Sequence, residues 1–131
     1  MRVAAALLLA LLAIAGCGER AQPDDQGLHQ DIASGTANVE VTFDAKIVTE
    51  PAESGGHERF NVTDPAGDTL EVDHNTSLAA SVPAQVGDVL IIHGQLYIDP
   101  GPHAGVHCTH AKTSSGCPDP GWIEFQGSYY E

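Results

Sequence analysis

The stretch Asn-Val-Glu-Val-Thr-Phe-Asp-Ala-Lys-Ile at residues 38–47 decides the fold class. From position 39 to position 47, every second residue is apolar and the residues between them are polar. Successive side chains of a β-strand point to opposite faces, so this period of two predicts a strand with one buried face.

The same alternation recurs outward from this stretch in shorter runs separated by turn residues. Further strands are predicted at residues 59–62, 69–73, 89–98, 105–110 and 122–125. Asp64-Pro65-Ala66-Gly67-Asp68 is a turn signal that joins the second and third strands in a hairpin. Residues 76–85 leave room for one short helical turn before Pro83. The pattern predicts an all-β protein, a small five- or six-stranded OB-like Greek-key barrel with at most one short helix.

The first 17 residues have the pattern of a lipoprotein signal. Arg2 precedes an apolar run at residues 3–15, which is shorter than the roughly 20 residues that a membrane-spanning helix needs. The run ends in Ile14-Ala15-Gly16-Cys17, which matches the lipobox that the lipoprotein signal peptidase cleaves. The sequence therefore predicts cleavage before Cys17 and lipidation of that residue, with an ordinary signal peptide or a buried helix as alternatives.

This interpretation divides the chain into three segments. Residues 1–16 are the predicted signal peptide, residues 17–36 the lipidated cysteine with a flexible tether, and residues 37–131 the barrel. The tether is polar and poor in large apolar side chains, and a short helix around residues 28–33 is the alternative. We expect a lipid-anchored protein of the cell envelope. Because Gly18 follows the lipidated residue, we expect the periplasmic face of the outer membrane if the host has one.

The charge of the chain argues against nucleic acid as a partner. The chain has 5 Lys and Arg against 18 Asp and Glu, a formal net charge of −13 at pH 7. Outside the signal, the basic residues are Arg20, Lys46, Arg59 and Lys112, which form no basic run. Because phosphate binding relies on Lys and Arg, a small ligand or another envelope protein is the expected partner.

Two cysteines remain if Cys17 is lipidated. Cys108 and Cys117 lie nine positions apart, and an oxidising compartment favours a disulfide between them. A Cys2His2 zinc site with His107 and His110 is the alternative, although neighbouring residues of a strand point to opposite faces. Free thiols at both cysteines are a third hypothesis. No cofactor is predicted, and a divalent metal at His107 and His110 stays open.

Short motifs in the barrel region carry a resemblance to a known family: His57-Glu58-Arg59-Phe60, His74-Asn75, Leu78-Ala79, Val82-Pro83, Gly87-Asp88, Gly94 and Gly121-Trp122-Ile123-Glu124. The most specific motif is His107-Cys108-Thr109-His110. Together they resemble a family of small bacterial proteins, domain of unknown function family 3465, over about residues 38–131. The resemblance implies an OB-like fold and no established activity.

The chain departs from that family where its most specific block reads His-Trp-Thr-His-His-Asp. Cys108 stands in the place of Trp, and Ala111 and Lys112 stand in the places of the second His and the Asp. Cys117 stands where the family tends to have another His. A disulfide explains the paired change to cysteine better than a metal site does.

The candidate ligand-binding residues come from the same motifs. We expect His57, His74, Asn75, His107 and His110 at one mouth of the barrel, where imidazole groups would bind a divalent metal or an anionic ligand. The set is completed by Arg59, Thr109 and Trp122. The favoured function is a binding module with this histidine-bearing site.

An enzyme and a structural protein are the alternative functions. A metal-dependent hydrolase would use the same histidines, but Ala111 and Lys112 replace two residues of the family's block. The sequence has no Gly-x-Ser-x-Gly elbow and no poised cysteine nucleophile, so no catalytic residue is predicted. A purely structural envelope protein is the third functional hypothesis.

Aromatic residues offer a different kind of surface. Tyr97, Trp122, Tyr129 and Tyr130 would suit a stacking platform of the type that OB-folds use for single strands. Because no basic residues lie beside them in the sequence, we interpret them as core or rim packing.

Overall fold

The computed structural model describes residues 18–131. The predicted lipobox and Cys17 lie outside these residues. Within them the chain forms one helix and eight strands: α1 Asp25–Ser34, β1 Glu40–Ile47, β2 Ala52–Ser54, β3 His57–Thr63, β4 Thr69–Asn75, β5 Val89–Asp99, β6 His103–His107, β7 Trp122–Phe125 and β8 Ser128–Tyr130. None of the helical segments in this part of the chain has the length and apolar character that a bilayer crossing requires.

Five of the strands close into a barrel in the order β1-β3-β4-β6-β5. β5 completes the circle by pairing with β1 from Glu40 opposite Gln95 to Lys46 opposite Val89. β4 and β6 are parallel, and the other barrel pairs are antiparallel. This strand order and the single parallel pair are those of the OB-fold, and they confirm the all-β, OB-like prediction.

The alternation in β1 decides which side chains form the core. Val41, Phe43, Ala45 and Ile47 are all buried, as the period of two predicts. The matching positions of the other barrel strands are also buried: Phe60, Val62, Leu70, Val72, Leu90, Ile92, Leu96 and Val106. Each large side chain removed from water stabilises the barrel by about 1.5–3 kcal/mol before the entropy cost of folding.

The N-terminal segment contains a helix where the sequence favoured a flexible tether. Asp24 caps α1 by accepting a hydrogen bond from the Gly27 N–H at 2.9 Å, and Gly35 ends the helix with a left-handed φ of 71°. Leu28 is 1% exposed and belongs to the barrel core. The tether interpretation is therefore wrong for residues 25–34, where the alternative short helix is present, because Leu28 and Ile32 pack against the barrel core.

The short helical turn predicted between the third and fourth strands is present as a single hydrogen-bonded turn after Asn75. The Ala79 N–H donates to the Asn75 carbonyl oxygen at 3.1 Å, and no helix is assigned in residues 76–88. The helix of this domain is α1.

The prediction of a strand over residues 105–110 is wrong beyond its first half. β6 ends at His107 because Cys108 has a φ of 56°, a left-handed conformation that breaks an extended strand. Two short strands were not predicted. β2 lies between the first two predicted strands and pairs with β3, and β8 pairs with β7.

Candidate functional site

The structure places part of the predicted histidine site inside the barrel wall. His74 is 0% exposed, and its Nε2–H donates to the Ala80 carbonyl oxygen at 2.9 Å. Its Nδ1 lies 2.8 Å from the Thr109 hydroxyl oxygen, so both ring nitrogens have a hydrogen-bond partner. Burial lowers the pKa of His74, and the nearby His110 imidazole lowers it further. His74 and Thr109 therefore lie inside the barrel wall, bonded to each other, and the ligand-binding role predicted for them stays a prediction.

His110 is buried beside this pair. Its Nδ1–H donates to the Lys112 carbonyl oxygen at 2.8 Å, and the side chain is almost fully covered. The break at Cys108 turns His110 inward from the line of β6.

His57 and Arg59 lie on the outer face of β3 and do not join the buried histidines. The Nδ1–H of His57 donates to the Asp73 carboxylate at 2.6 Å. The Arg59 guanidinium lies 3.4 Å from the other oxygen of the same carboxylate. Asp73 is opposite Arg59 in the β3–β4 ladder, so the pairing of the two strands creates this group. Asn75 closes the following turn by accepting from the Ser77 N–H at 3.0 Å.

His107 occupies the same outer face on β6. Its Nε2–H donates to the Gln95 side-chain oxygen at 2.9 Å, and its ring packs edge-on against Tyr97 with centroids 5.2 Å apart. Burial lowers the pKa of His107 below the ordinary histidine value. The predicted common mouth is thus divided into an internal group and an outer-face group.

Trp122 belongs to a third group at the β7–β8 hairpin. Its ring stacks on His93 with centroids 5.5 Å apart, and Tyr129 approaches it edge-on at 5.3 Å. The Arg20 guanidinium carbon lies 3.7 Å from the Tyr129 ring centroid. Trp122 is 6% exposed and pairs with His93 of β5, two positions from Gln95, the partner of His107. The preceding residue, Gly121, donates its N–H to the His110 carbonyl oxygen at 2.9 Å, so this group lies beside the segment that carries the buried histidine.

The two cysteines of the barrel form the predicted disulfide. Cys108 and Cys117 are bonded with their Cα atoms 5.4 Å apart. Both thiols are consumed by this bond, so the alternative Cys2His2 zinc set does not form. Among residues 18–131, no group of three or more His, Cys, Asp or Glu side chains is arranged to hold one metal ion, at His107 and His110 or elsewhere.

A cleft of about 590 Å³ on the outer face was not predicted from the sequence. We call it the Tyr97 cleft, and its lining residues come from β3, β4, β5, β6 and the loop between β5 and β6: Asn61, Thr69, Leu70, Glu71, Tyr97, Asp99, Pro102, His103 and Ala104. Its volume lies in the range of small-molecule sites. The polar lining residues lie next to core residues in their strands and therefore point to the outer face: Asn61, Glu71 and Asp99. This alternation is the feature of the sequence that could have indicated the cleft.

Tyr97 forms the floor of this cleft. Its hydroxyl donates to the Glu71 carboxylate at 3.0 Å. Burial raises the pKa of Tyr97, and the hydrogen bond to Glu71 raises it further, so the phenol keeps its proton. A Cβ atom at position 105 would overlap the Tyr97 ring, so glycine at this position allows the ring to lie against β6.

Comparisons with known proteins identify a family and no activity. The model of a family described as "Protein of unknown function (DUF3465)" matches residues 9–131. No curated protein matches the chain. The chain is similar to the solved structure of the second single-stranded DNA binding protein of Mycobacterium smegmatis, with 19% sequence identity and a TM-score of 0.43 over 53% of this chain and 82% of that one. The fold assignment follows from the strand order and does not depend on this likeness.

Proposed function

The chain belongs to the family described as "Protein of unknown function (DUF3465)", and we propose that it is a lipid-anchored module of the cell envelope that binds a neutral glycan. The observation that carries the proposal is the Tyr97 cleft, where an aromatic ring is flanked by carboxylate, amide and hydroxyl groups. OB-folds bind oligosaccharides as well as oligonucleotides on the face of their second and third strands and the adjoining loops. In this barrel that face is β3–β4, and the Asp99–Pro102 loop lies beside it.

The polar groups of the cleft match the chemistry of a sugar. Glu71 and Asp99 only accept hydrogen bonds when ionised, and sugar hydroxyls donate them. Asn61 both donates and accepts, so it suits a hydroxyl or an acetamido group. The Tyr97 ring supplies an apolar surface for the C–H face of a pyranose ring.

The charge of the site favours a neutral ligand over a polyanion. Glu71 and Asp99 line the cleft, and Asp73 lies next to Glu71 on the same face of β4. These carboxylates belong to a chain with a formal net charge of −13. A phosphate backbone would lack the cations that it needs for binding, and it would be repelled by the carboxylates.

The location of the module is proposed from the N-terminal sequence. The apolar run at residues 3–15 and the lipobox before Cys17 support export and lipidation. Gly18 after the lipidated residue supports the periplasmic face of the outer membrane in a host that has one. The disulfide agrees with an oxidising compartment.

Saturation-transfer NMR on the unlipidated Cys17→Ser chain tests the ligand class. The probes are chitotetraose and maltotetraose as neutral glycans and oligo-dT as a polyanion. We expect transfer to at least one glycan and none to oligo-dT, with loss of transfer in Tyr97→Ala and retention in Tyr129→Ala. Transfer to neither glycan, or equal transfer in Tyr97→Ala, would contradict the proposal.

Membrane fractionation of the full chain tests the anchor. Lipidation of Cys17 predicts that the native chain partitions with membranes and that Cys17→Ser does not. Cys117→Ser is the matched control, because it removes a cysteine but leaves the lipobox intact. Equal partitioning of native chain and Cys17→Ser would refute the anchor.

A further inference from the structure

The chain is fixed to the barrel from Arg20 onward. The Arg20 guanidinium binds the Glu131 carboxylate through two hydrogen bonds of 2.7 and 3.1 Å. The same group lies over the Tyr129 ring and 5.5 Å from the Trp122 ring centroid. Four residues later, the Asp24 N–H donates to the Thr42 carbonyl oxygen at 2.8 Å. We call the contacts of Arg20 with Glu131 and Tyr129 the Arg20 clasp.

The Arg20 clasp leaves a very short link to the anchored residue. Arg20 follows Cys17 by three positions, and three extended residues span at most about 11 Å. Without the clasp, the first fixed point would be Asp24, and the link would grow to seven residues or about 25 Å. The clasp therefore decides whether the barrel is held against the membrane or allowed to rotate above it.

We infer that the β7–β8 hairpin, with Tyr129 and Arg20 on its surface and Trp122 beneath them, is the face of this protein that rests on the lipid bilayer. The inference rests on the lipid anchor of the proposed function. Tyr129 is 39% exposed, and tyrosine with its apolar ring and polar hydroxyl is suited to the membrane–water interface. The acidic chain gains no attraction to anionic lipids, so charge does not select the face that contacts the membrane. The short link from Cys17 to Arg20 selects it, because Arg20 lies at this hairpin.

This orientation leaves the Tyr97 cleft accessible. Trp122 pairs with His93 of β5, whereas the rim residue Asp99 lies six positions further along the same strand. At about 3.3 Å per residue, Asp99 lies roughly 20 Å from His93 along the strand, and Tyr97 lies roughly 13 Å from it. A glycan in the cleft would therefore be bound at the end of β5 away from the hairpin that contacts lipid.

Trp122 is the single tryptophan of the chain, so its fluorescence reports on this face directly. The experiment uses the lipidated full chain in phosphatidylcholine vesicles with and without a spin label near the lipid headgroup. We expect loss of Trp122 fluorescence in the labelled vesicles. The double variant Arg20→Gln/Glu131→Gln should partition equally but lose less fluorescence, because its link to the membrane is longer.

Arg59→Gln is the matched control, because it removes an exposed arginine outside the clasp and should be quenched like the native chain. Full partitioning with no quenching, or equal quenching of native chain and double variant, would overturn this inference and leave the anchor intact. Failure of the native chain to partition would overturn the anchor and this inference together.

Discussion

The Tyr97 ring lies against the backbone of Gly105, its cross-strand partner in the β5–β6 ladder. The position of the ring requires that residue 105 has no side chain. The Tyr97 hydroxyl is also held by Glu71 of β4, which pairs with Gly105 from the other side. Three neighbouring strands thus fix one aromatic ring in the cleft, so its position depends on the pairing of β4, β6 and β5.

Gly105→Ala should lower the free energy of unfolding by about 1–3 kcal/mol, because the new methyl group overlaps the Tyr97 ring. In a Tyr97→Ala background the same substitution should be neutral or stabilising by roughly 0.4–1 kcal/mol, since alanine restricts the unfolded chain. Urea denaturation of the four proteins of this cycle measures the coupling. Equal effects of Gly105→Ala in both backgrounds would show that the ring does not occupy this position.

Leu28→Ala should cost about 2–5 kcal/mol, the usual cost of removing a buried leucine side chain. The change should also expose α1 to protease, because Leu28 fixes the helix to the core. Gln30→Ala on the exposed side of the same helix is the control. Equal midpoints of Leu28→Ala and the control in chemical denaturation would restore the tether interpretation.

His74 should make the stability of the domain depend on pH. Its pKa is lowered from 6.5 in the folded state, so its contribution is complete above pH 6.5 and is lost as the pH falls through the folded pKa. Buried Glu58 and Asp64 act in the opposite direction, because burial raises the pKa of each carboxyl and their contributions diminish as the pH rises.

The His74 contribution is isolated by comparing His74→Asn with the native chain in urea denaturation at pH 7.5 and pH 5.5. The native chain should lose more stability on acidification than the variant. The exposed His103→Asn should behave like the native chain. An identical pH dependence in His74→Asn would argue against a buried neutral imidazole.

The disulfide should stabilise the folded state by about 2–3 kcal/mol, on the model in which it restricts a loop of this length in the unfolded chain. Cys108→Ala/Cys117→Ala should shift the urea midpoint by the corresponding amount. Without reduction, the native chain should show no thiol from these two residues on alkylation. Alkylation of both Cys108 and Cys117 in the unreduced protein would contradict the disulfide.

The sequence predicted the barrel because each strand carries a local signal. The alternation from Val39 to Ile47 and the Asp64–Asp68 turn predict a strand and a hairpin without knowledge of distant residues. α1 was predicted only as the alternative to a flexible tether, because Leu28 and Ile32 are its only large apolar side chains. Its stability comes from the core that receives Leu28, which a local pattern does not contain.

The candidate site was predicted less well, because it depends on contacts between residues far apart in the chain. Glu71 and Tyr97 are 26 positions apart and meet across β6. The Arg20 clasp joins residues 111 positions apart. His74 has the same strand register as Leu70 and Val72, which is a local signal for the inner face, and the structure buries it there together with these core residues.

Titration of the ¹⁵N-labelled Cys17→Ser chain with chitotetraose and maltotetraose, followed by amide chemical shifts, tests the glycan proposal most directly. We predict that at least one glycan produces saturable shifts at Glu71, Tyr97 and His103, and that the amides around Trp122 stay unchanged. Shifts restricted to the Trp122 region, or no shifts with either glycan, would contradict the assignment of the Tyr97 cleft as the binding site.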